Sequence, residues 1–119
     1  MSSAKQLKLL GTDAINLSKI TDGGTAPSIK LPKGKYAVTV TSDITYNVGS
    51  SVFCQQVILF NCAPLNTGEY EKWFYTPNTT EGCIINAEEN QPIYAFIVDQ
   101  VNSQDNGGSA IVTFTPIGQ

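Results

Sequence analysis

Short runs of alternating apolar and polar residues, separated by turn-forming residues, recur along this chain. In the clearest run, residues 36–41, Tyr36, Val38 and Val40 fall on one face of an extended strand. Clusters of Gly, Pro, Asn and Asp interrupt such runs about every ten to fifteen residues, a spacing typical of short antiparallel strands. No segment has the period of an amphipathic helix. The pattern therefore predicts an all-β protein.

The pattern predicts about seven to nine strands. The candidate segments, in chain order, are residues 1–10, 13–20, 28–31, 36–41, 52–60, 70–75, 83–85, 91–99 and 110–115. The 52–60 segment is the longest, and it is apolar on both faces except at Gln55 and Gln56. We therefore expect it to run through the middle of a sheet, followed by a turn region at 61–68.

This arrangement of strands and turns predicts one antiparallel β-sandwich of the jelly-roll kind, formed by a single domain of residues 1–119. A chain of this length can bury a core without disulfides or metals. The apolar positions expected in that core are Val38, Val40, Ile58, Phe96, Ile97, Val112 and Phe114.

Composition argues against catalysis and against nucleic acid as a partner. The chain has no His and no Arg, which removes the commonest general base and the preferred bidentate reader of phosphate. Its net charge of −3 disfavours binding to nucleic acid. We therefore expect a protein without catalytic residues, not an enzyme.

The chain has no apolar run long enough to insert into a membrane and no stretch typical of a secretory signal. We expect synthesis in the cytoplasm, with either release from the cell by another route or incorporation into a virion afterwards. The three cysteines, Cys54, Cys62 and Cys83, have irregular spacing and do not form a disulfide framework. One bridge with one free thiol remains open as an alternative.

The loop between the last two predicted strands, residues 99–109, is rich in oxygen-bearing side chains. It contains the carboxylates of Asp99 and Asp105, the amide of Asn106, several hydroxyls and a Gly-Gly pair. Calcium requires about six to eight oxygen ligands, which a flexible loop of this composition can supply. Composition alone favours a simpler interpretation, an ordinary polar hairpin, since turns use the same residue types.

This segment resembles the C-terminal part of the LecA-type galactophilic lectins, which are small calcium-dependent β-sandwich proteins. In their pattern an apolar strand ends in Asp, as at Asp99, and a hydroxyl residue follows at the spacing of Ser103. Asp105-Asn106 stands where the family has two Asn residues, although one residue is missing before it. An earlier segment, 38–46, is similar to the strand whose closing Tyr contributes its carbonyl to the ion.

The resemblance implies a galactose-binding-like sandwich with a calcium site. The ligands that it implies are Tyr46, Asp99, Ser103, Asp105 and Asn106. It does not extend to the family's His-containing stretch, which helps to hold galactose, because this chain has no His. The identity of the sugar is therefore not implied.

The aromatic strand Glu71-Lys72-Trp73-Phe74-Tyr75 is a second candidate for ligand binding. Alternation places Glu71, Trp73 and Tyr75 on one face. An exposed Trp and Tyr beside a carboxylate can hold a sugar ring by stacking and hydrogen bonding. The alternative, which we favour, is that Trp73 fills the core of the sandwich.

Together these patterns predict a non-catalytic, lectin-like module that binds carbohydrate with calcium and forms a homo-oligomer. The alternative is a structural or adhesive component of a larger assembly, such as a decoration or fibre protein of a phage virion. The abundance of Asn, Thr and Ser with few charges favours that alternative, because such surfaces suit contacts with neighbouring subunits.

Overall fold

The structure, a computed structural model, describes residues 3–18, 24–47, 51–64, 70–100 and 103–118, with the backbone alone described for 62–64 and 70–71. Within these residues it contains ten strands and two short 3-10 turns, at Gly11–Asp13 and Ser103–Asp105. The strands are β1 (Lys5–Leu10), β2 (Ile15–Asn16), β3 (Ser28–Lys30), β4 (Gly34–Ser42), β5 (Ile58–Pro64), β6 (Tyr70–Tyr75), β7 (Cys83–Ala87), β8 (Pro92–Phe96), β9 (Val98–Asp99) and β10 (Ser109–Ile117).

Two four-stranded antiparallel sheets enclose one hydrophobic core. The first sheet has the order β1-β10-β4-β7, and the second has the order β3-β8-β5-β6. The prediction of an all-β antiparallel sandwich is confirmed, whereas the finer jelly-roll and galactose-binding-like assignments stay predictions. None of the described residues forms an α-helix, so none of them forms a helix that could span a membrane.

The inner face of the first sheet follows the alternation of its strands. Val38 lies opposite Phe114 and Val40 lies opposite Val112 in the β4–β10 pairing, and all four side chains are buried. Tyr36 continues this face, and its hydroxyl donates to Pro32 O at 2.7 Å. That bond satisfies the polar tip of an otherwise apolar side chain, which burial requires.

The second sheet contributes the other half of the core through Leu59, Ile93 and Ala95, all of which are fully buried. Their neighbours Ile58 and Phe96 lie opposite each other on the outer face and are only half-buried. The expectation that these two residues are core residues is therefore wrong. Each lies one position from a buried residue, and a shift of one position moves a strand side chain to the other face.

The boundaries of the central strand also differ from the prediction. The strand does not begin at Val52, because the backbone before Ile58 bonds to separate segments: Cys54 N donates to Ile44 O and Val57 N donates to Pro77 O. At its other end β5 extends into the predicted turn region 61–68, as far as Pro64. Asn61 there is buried, and its side-chain amide donates to Pro92 O at 2.9 Å.

The predicted strand 91–99 divides at Ile97 into β8 and β9. β9 leaves the second sheet and pairs in parallel with β2, with Asn16 opposite Asp99. Short strands separated by turns predict antiparallel pairs, so the sequence pattern does not indicate this parallel contact. The pairing fixes the backbone of Asp99 at the edge of the candidate site.

Candidate functional site

A polar pocket of about 200 Å³ lies where the segment after β4 meets β9 and the 103–107 loop. The residues that line it are Tyr46, Asn47, Asp99, Asp105 and Asn106. Four of the five residues that the resemblance implies as calcium ligands are therefore brought to one place. We call this the polar pocket.

Asp99 is positioned by the parallel pair of β2 and β9. Leu17 N donates to Asp99 O at 2.8 Å, which continues the pairing beyond the end of β2. The carboxylate is oriented by Gln100 N, which donates to Asp99 Oδ1 at 2.6 Å. The side chain is half-exposed, so it can contact a ligand in the pocket.

Ser103 anchors the 3-10 turn that carries Asp105. Its backbone N donates to Asn16 Oδ1 at 2.9 Å, and its carbonyl accepts from Asn106 N at 3.1 Å. Its side chain is fully buried, and Ser103 Oγ has no hydrogen-bond partner among the described residues. Ser103 does not line the polar pocket, and its role as a ligand stays a prediction.

Asn106 connects the loop to two other segments. Its side-chain Nδ2 donates to Gly11 O at 3.0 Å, and its Oδ1 accepts from Asn47 N at 3.2 Å. The residue is 4% exposed. Both ends of a buried amide are thus satisfied, which fixes where its oxygen lies at the edge of the pocket.

Gly11 allows the 103–107 loop to pack closely against the turn after β1. A side chain at Gly11 would place its Cβ 2.7 Å from Gly107 O and 3.1 Å from Asn106 Cβ. Gly107 in turn exchanges two backbone hydrogen bonds of 3.1 Å with Thr45. The segments that surround the pocket are therefore tied together by backbone contacts that a larger residue at position 11 would break.

Tyr46 forms one wall of the pocket, and its hydroxyl donates to Val98 O at 2.9 Å. Burial raises the pKa of Tyr46 above its ordinary value, and the neighbouring Cys54 thiol and Asp99 carboxylate raise it further. The phenol is therefore neutral at physiological pH. It serves as a hydrogen-bond donor and as an apolar surface.

The residues of the polar pocket suit a hard cation in type but not in full number. No three side chains of His, Cys, Asp or Glu group together within the described part of the chain. Two carboxylates and one amide oxygen provide fewer than the six to eight or so oxygens that calcium takes, so backbone carbonyls, waters or a ligand must supply the rest. If calcium binds, Asp99, Asp105 and Asn106 would hold it by their side chains and Tyr46 by its carbonyl.

The aromatic candidates lie elsewhere. Trp73 lies on the inner face of the second sheet, where it is half-buried and packs against the core. Its ring centroid is 5.4 Å from that of Tyr75, and the two ring planes are tilted by 50°. Neither residue lines the polar pocket, and the side chain of Glu71 falls outside the described residues. Their part in ligand binding stays a prediction, and Tyr46 is the aromatic residue that lies at the candidate ion site.

Two residues of the site were not predicted. Asn47 lines the pocket with a positive φ of 74°, a conformation that Asn adopts more readily than most residues. Its place in the sequence Asn-Val-Gly-Ser-Ser, residues 47–51, which is typical of a loop, was a usable signal. Gly11 was not detectable from the sequence, because its contact partner lies almost the whole chain away.

Comparison with known proteins adds no relative: the chain matches no protein-family model, no curated protein and no solved structure. The lining of the polar pocket and its hydrogen bonds are the observations from which a function can be inferred.

Proposed function

We propose that this protein is a non-catalytic binding module that holds a calcium ion in the polar pocket and binds a carbohydrate through that ion. One observation carries the proposal. Asp99 from β9 and Asp105 from the following turn line the same small pocket, together with the oriented amide of Asn106. Two carboxylates that line one pocket repel each other, and a divalent cation bound between them offsets that repulsion.

A calcium ion in this position would leave ligand sites open. The chain supplies only part of a calcium coordination shell here, and the hydroxyls of a sugar are oxygen ligands of the kind that can complete it. The ring of Tyr46 adds an apolar surface beside the ion, and sugar rings present apolar C–H faces to such surfaces. This combination supports carbohydrate as the ligand class.

The ion is tested by thermal unfolding of the purified protein with calcium and with chelator. An ion that binds only to the folded state stabilises that state. The gain is about 2.7 kcal/mol when the free calcium concentration is a hundred times the dissociation constant. We expect calcium to raise the melting temperature of the wild type but not that of the double variant Asp99→Asn, Asp105→Asn. Glu81→Gln, Glu89→Gln is the matched control, since it removes two exposed carboxylates outside the pocket. Identical melting of the wild type in calcium and chelator would reject the site.

The sugar is tested on a glycan array with the calcium-loaded protein. We expect binding that disappears when chelator is added and when Asp99 and Asp105 are both changed to Asn. Binding of calcium without binding of any glycan would support the ion site and contradict the lectin-like function.

A second candidate function, a structural subunit of a larger assembly, is supported by the outer face of the second sheet. Phe60 lies between Phe74 and Tyr94 across three adjacent strands, and Ile58 lies beside Phe96. Phe74 is 68% exposed. We call these five residues the outer aromatic face, and contiguous apolar surface of this kind is typical of contacts with another protein.

A further inference from the structure

Three large apolar side chains lie exposed beside the polar pocket. They belong to Leu17, Val52 and Phe53, which are 57%, 60% and 53% exposed. Leu17 N donates to O of the pocket residue Asp99 at 2.8 Å. Val52, which precedes Phe53, accepts at its O from N of the pocket residue Tyr46 at 2.9 Å. We call these three residues the apolar rim.

The apolar rim comes from two parts of the chain that meet at the pocket. Leu17 follows β2, which pairs with β9, whereas Val52 and Phe53 belong to the segment between β4 and β5. The hydrogen bond from Tyr46 Oη to Val98 O joins that segment to β9. Single exposed apolar residues are normal on a protein surface, but a group of them around a polar site is typical of a contact with a protein or a membrane.

Carboxylates collect at this end of the sandwich. Asp13 follows β1 and Asp43 follows β4, and these two strands run in the same direction because both are antiparallel to β10. The polar pocket with Asp99 and Asp105 also lies beyond the end of β4. Without a cation these four carboxylates repel an anionic surface. Calcium in the polar pocket offsets the charge of two of them and attracts anionic groups to its open positions.

We infer that the calcium-loaded protein docks on a bilayer that contains anionic phospholipid. A lipid phosphate oxygen takes an open position on the ion, and the apolar rim enters the boundary between headgroups and acyl chains. Docking of this kind depends on buried apolar area together with attraction between charges, and the rim supplies the first and the ion the second. A bilayer presents phosphate directly above hydrocarbon, which matches a charged pocket bordered by apolar side chains. The docking depends on the calcium ion of the proposed function but not on the carbohydrate.

The test is sedimentation of the protein with vesicles of phosphatidylcholine, with and without phosphatidylserine, in calcium and in chelator. We expect calcium-dependent binding to the vesicles that contain phosphatidylserine and much weaker binding to phosphatidylcholine alone. Leu17→Ser should weaken the binding about tenfold, because its side chain no longer leaves water for the bilayer, and Val52→Ser should weaken it as well. Ile84→Ser is the matched control: Ile84 is also 57% exposed, but it lies on β7, away from the apolar rim, and its loss should leave the binding unchanged.

Calcium titration without vesicles separates a loss of docking from a loss of the ion, since all three variants should keep the wild-type affinity for calcium. A wild type that binds calcium but sediments with neither kind of vesicle would overturn the docking and leave the ion site intact. Equal sedimentation with both kinds of vesicle, or an equal loss in Leu17→Ser and Ile84→Ser, would overturn it too. So would sedimentation that persists in chelator, because the contact would then come from cations such as Lys33 and Lys35 at the opposite end of β4. Vesicle binding without glycan binding would support the docking and contradict the lectin-like function.

Discussion

At the scale of single residues, the polar pocket depends on one buried amide. Asn106 accepts from Asn47 N and donates to Gly11 O, so it connects the loop after β9 to the segment after β4 and to the turn after β1. These segments are far apart in sequence. An amide is suited to this role because it carries a donor and an acceptor at fixed positions.

We predict that Asn106→Ala lowers both the stability and the affinity for calcium. The substitution leaves Gly11 O and Asn47 N without their side-chain partner, and an unsatisfied polar group of this kind costs about 1–3 kcal/mol. Chemical denaturation measures the loss of unfolding free energy, and calcium titration measures the affinity.

The control for this prediction is Asn86→Ala. Asn86 is an exposed residue of β7, and its removal should change stability by less than about 0.5 kcal/mol. Equal stability of the two variants would show that the bonds of Asn106 do not hold the loop.

At the scale of the element, strand β6 shows how one sequence run serves two surfaces. Trp73 lies opposite Asn61 on the inner face and packs against the core, whereas Phe74 lies opposite Phe60 on the outer face. The two aromatic residues are adjacent and similar in hydrophobicity. Their roles differ only because the strand presents successive side chains to opposite sides.

We predict that Trp73→Ala and Phe74→Ala differ in their effect on stability. Trp73 is half-buried, so its truncation should cost about 2 kcal/mol, roughly half the cost of removing a fully buried aromatic side chain. In the separate chain Phe74→Ala should cost less than about 0.5 kcal/mol, because the ring there is largely in water already. Urea denaturation of both variants at a protein concentration at which the chains are monomeric gives the comparison. A cost for Phe74→Ala as large as that for Trp73→Ala under this condition would contradict the prediction.

At the scale of the whole molecule, the two sheets differ in what they present to their surroundings. The outer face of the first sheet carries a row of Gln6, Thr113 and Thr39 at its middle. On the outside of the second sheet lie the five residues of the outer aromatic face, whose side chains the described part of the chain leaves partly exposed. This asymmetry supports a contact between subunits at the second sheet rather than at the first.

We predict that the wild type is an oligomer and that Phe74→Lys dissociates it. The added charge would have to be desolvated in an apolar contact, and Lys72 of the same face would repel it. Light scattering gives the mass at several concentrations. Ile84→Lys is the control, since Ile84 is an exposed apolar residue of β7 in the other sheet. A wild type with the mass of one chain would contradict this prediction.

Local alternation was sufficient to predict the fold class and much of the first sheet. The side chains of β4 point inward and outward as the sequence indicates, because the two-residue period is a property of the extended backbone itself. The same reasoning was wrong at residues 52–57 and 61–64. At 52–57 the backbone bonds to the distant residues Ile44 and Pro77 instead of forming a strand of the sheet, and at 61–64 pairing with β6 extends β5 into the predicted turn.

Some residues of the candidate site could also be identified from the sequence, and others only from the structure. Asp99, Asp105 and Asn106 lie within one loop, so sequence proximity and the resemblance were enough to group them as possible ligands, and the resemblance alone added Tyr46. Only the tertiary structure brings Asn47 into the lining of the polar pocket and closes Gly11 against the 103–107 loop. The sequence by itself determined which residue types are available and which face of a strand they occupy, since these depend on neighbouring residues. The shape of the site depends on contacts between segments far apart in the chain, and only the packing of the two sheets decides those.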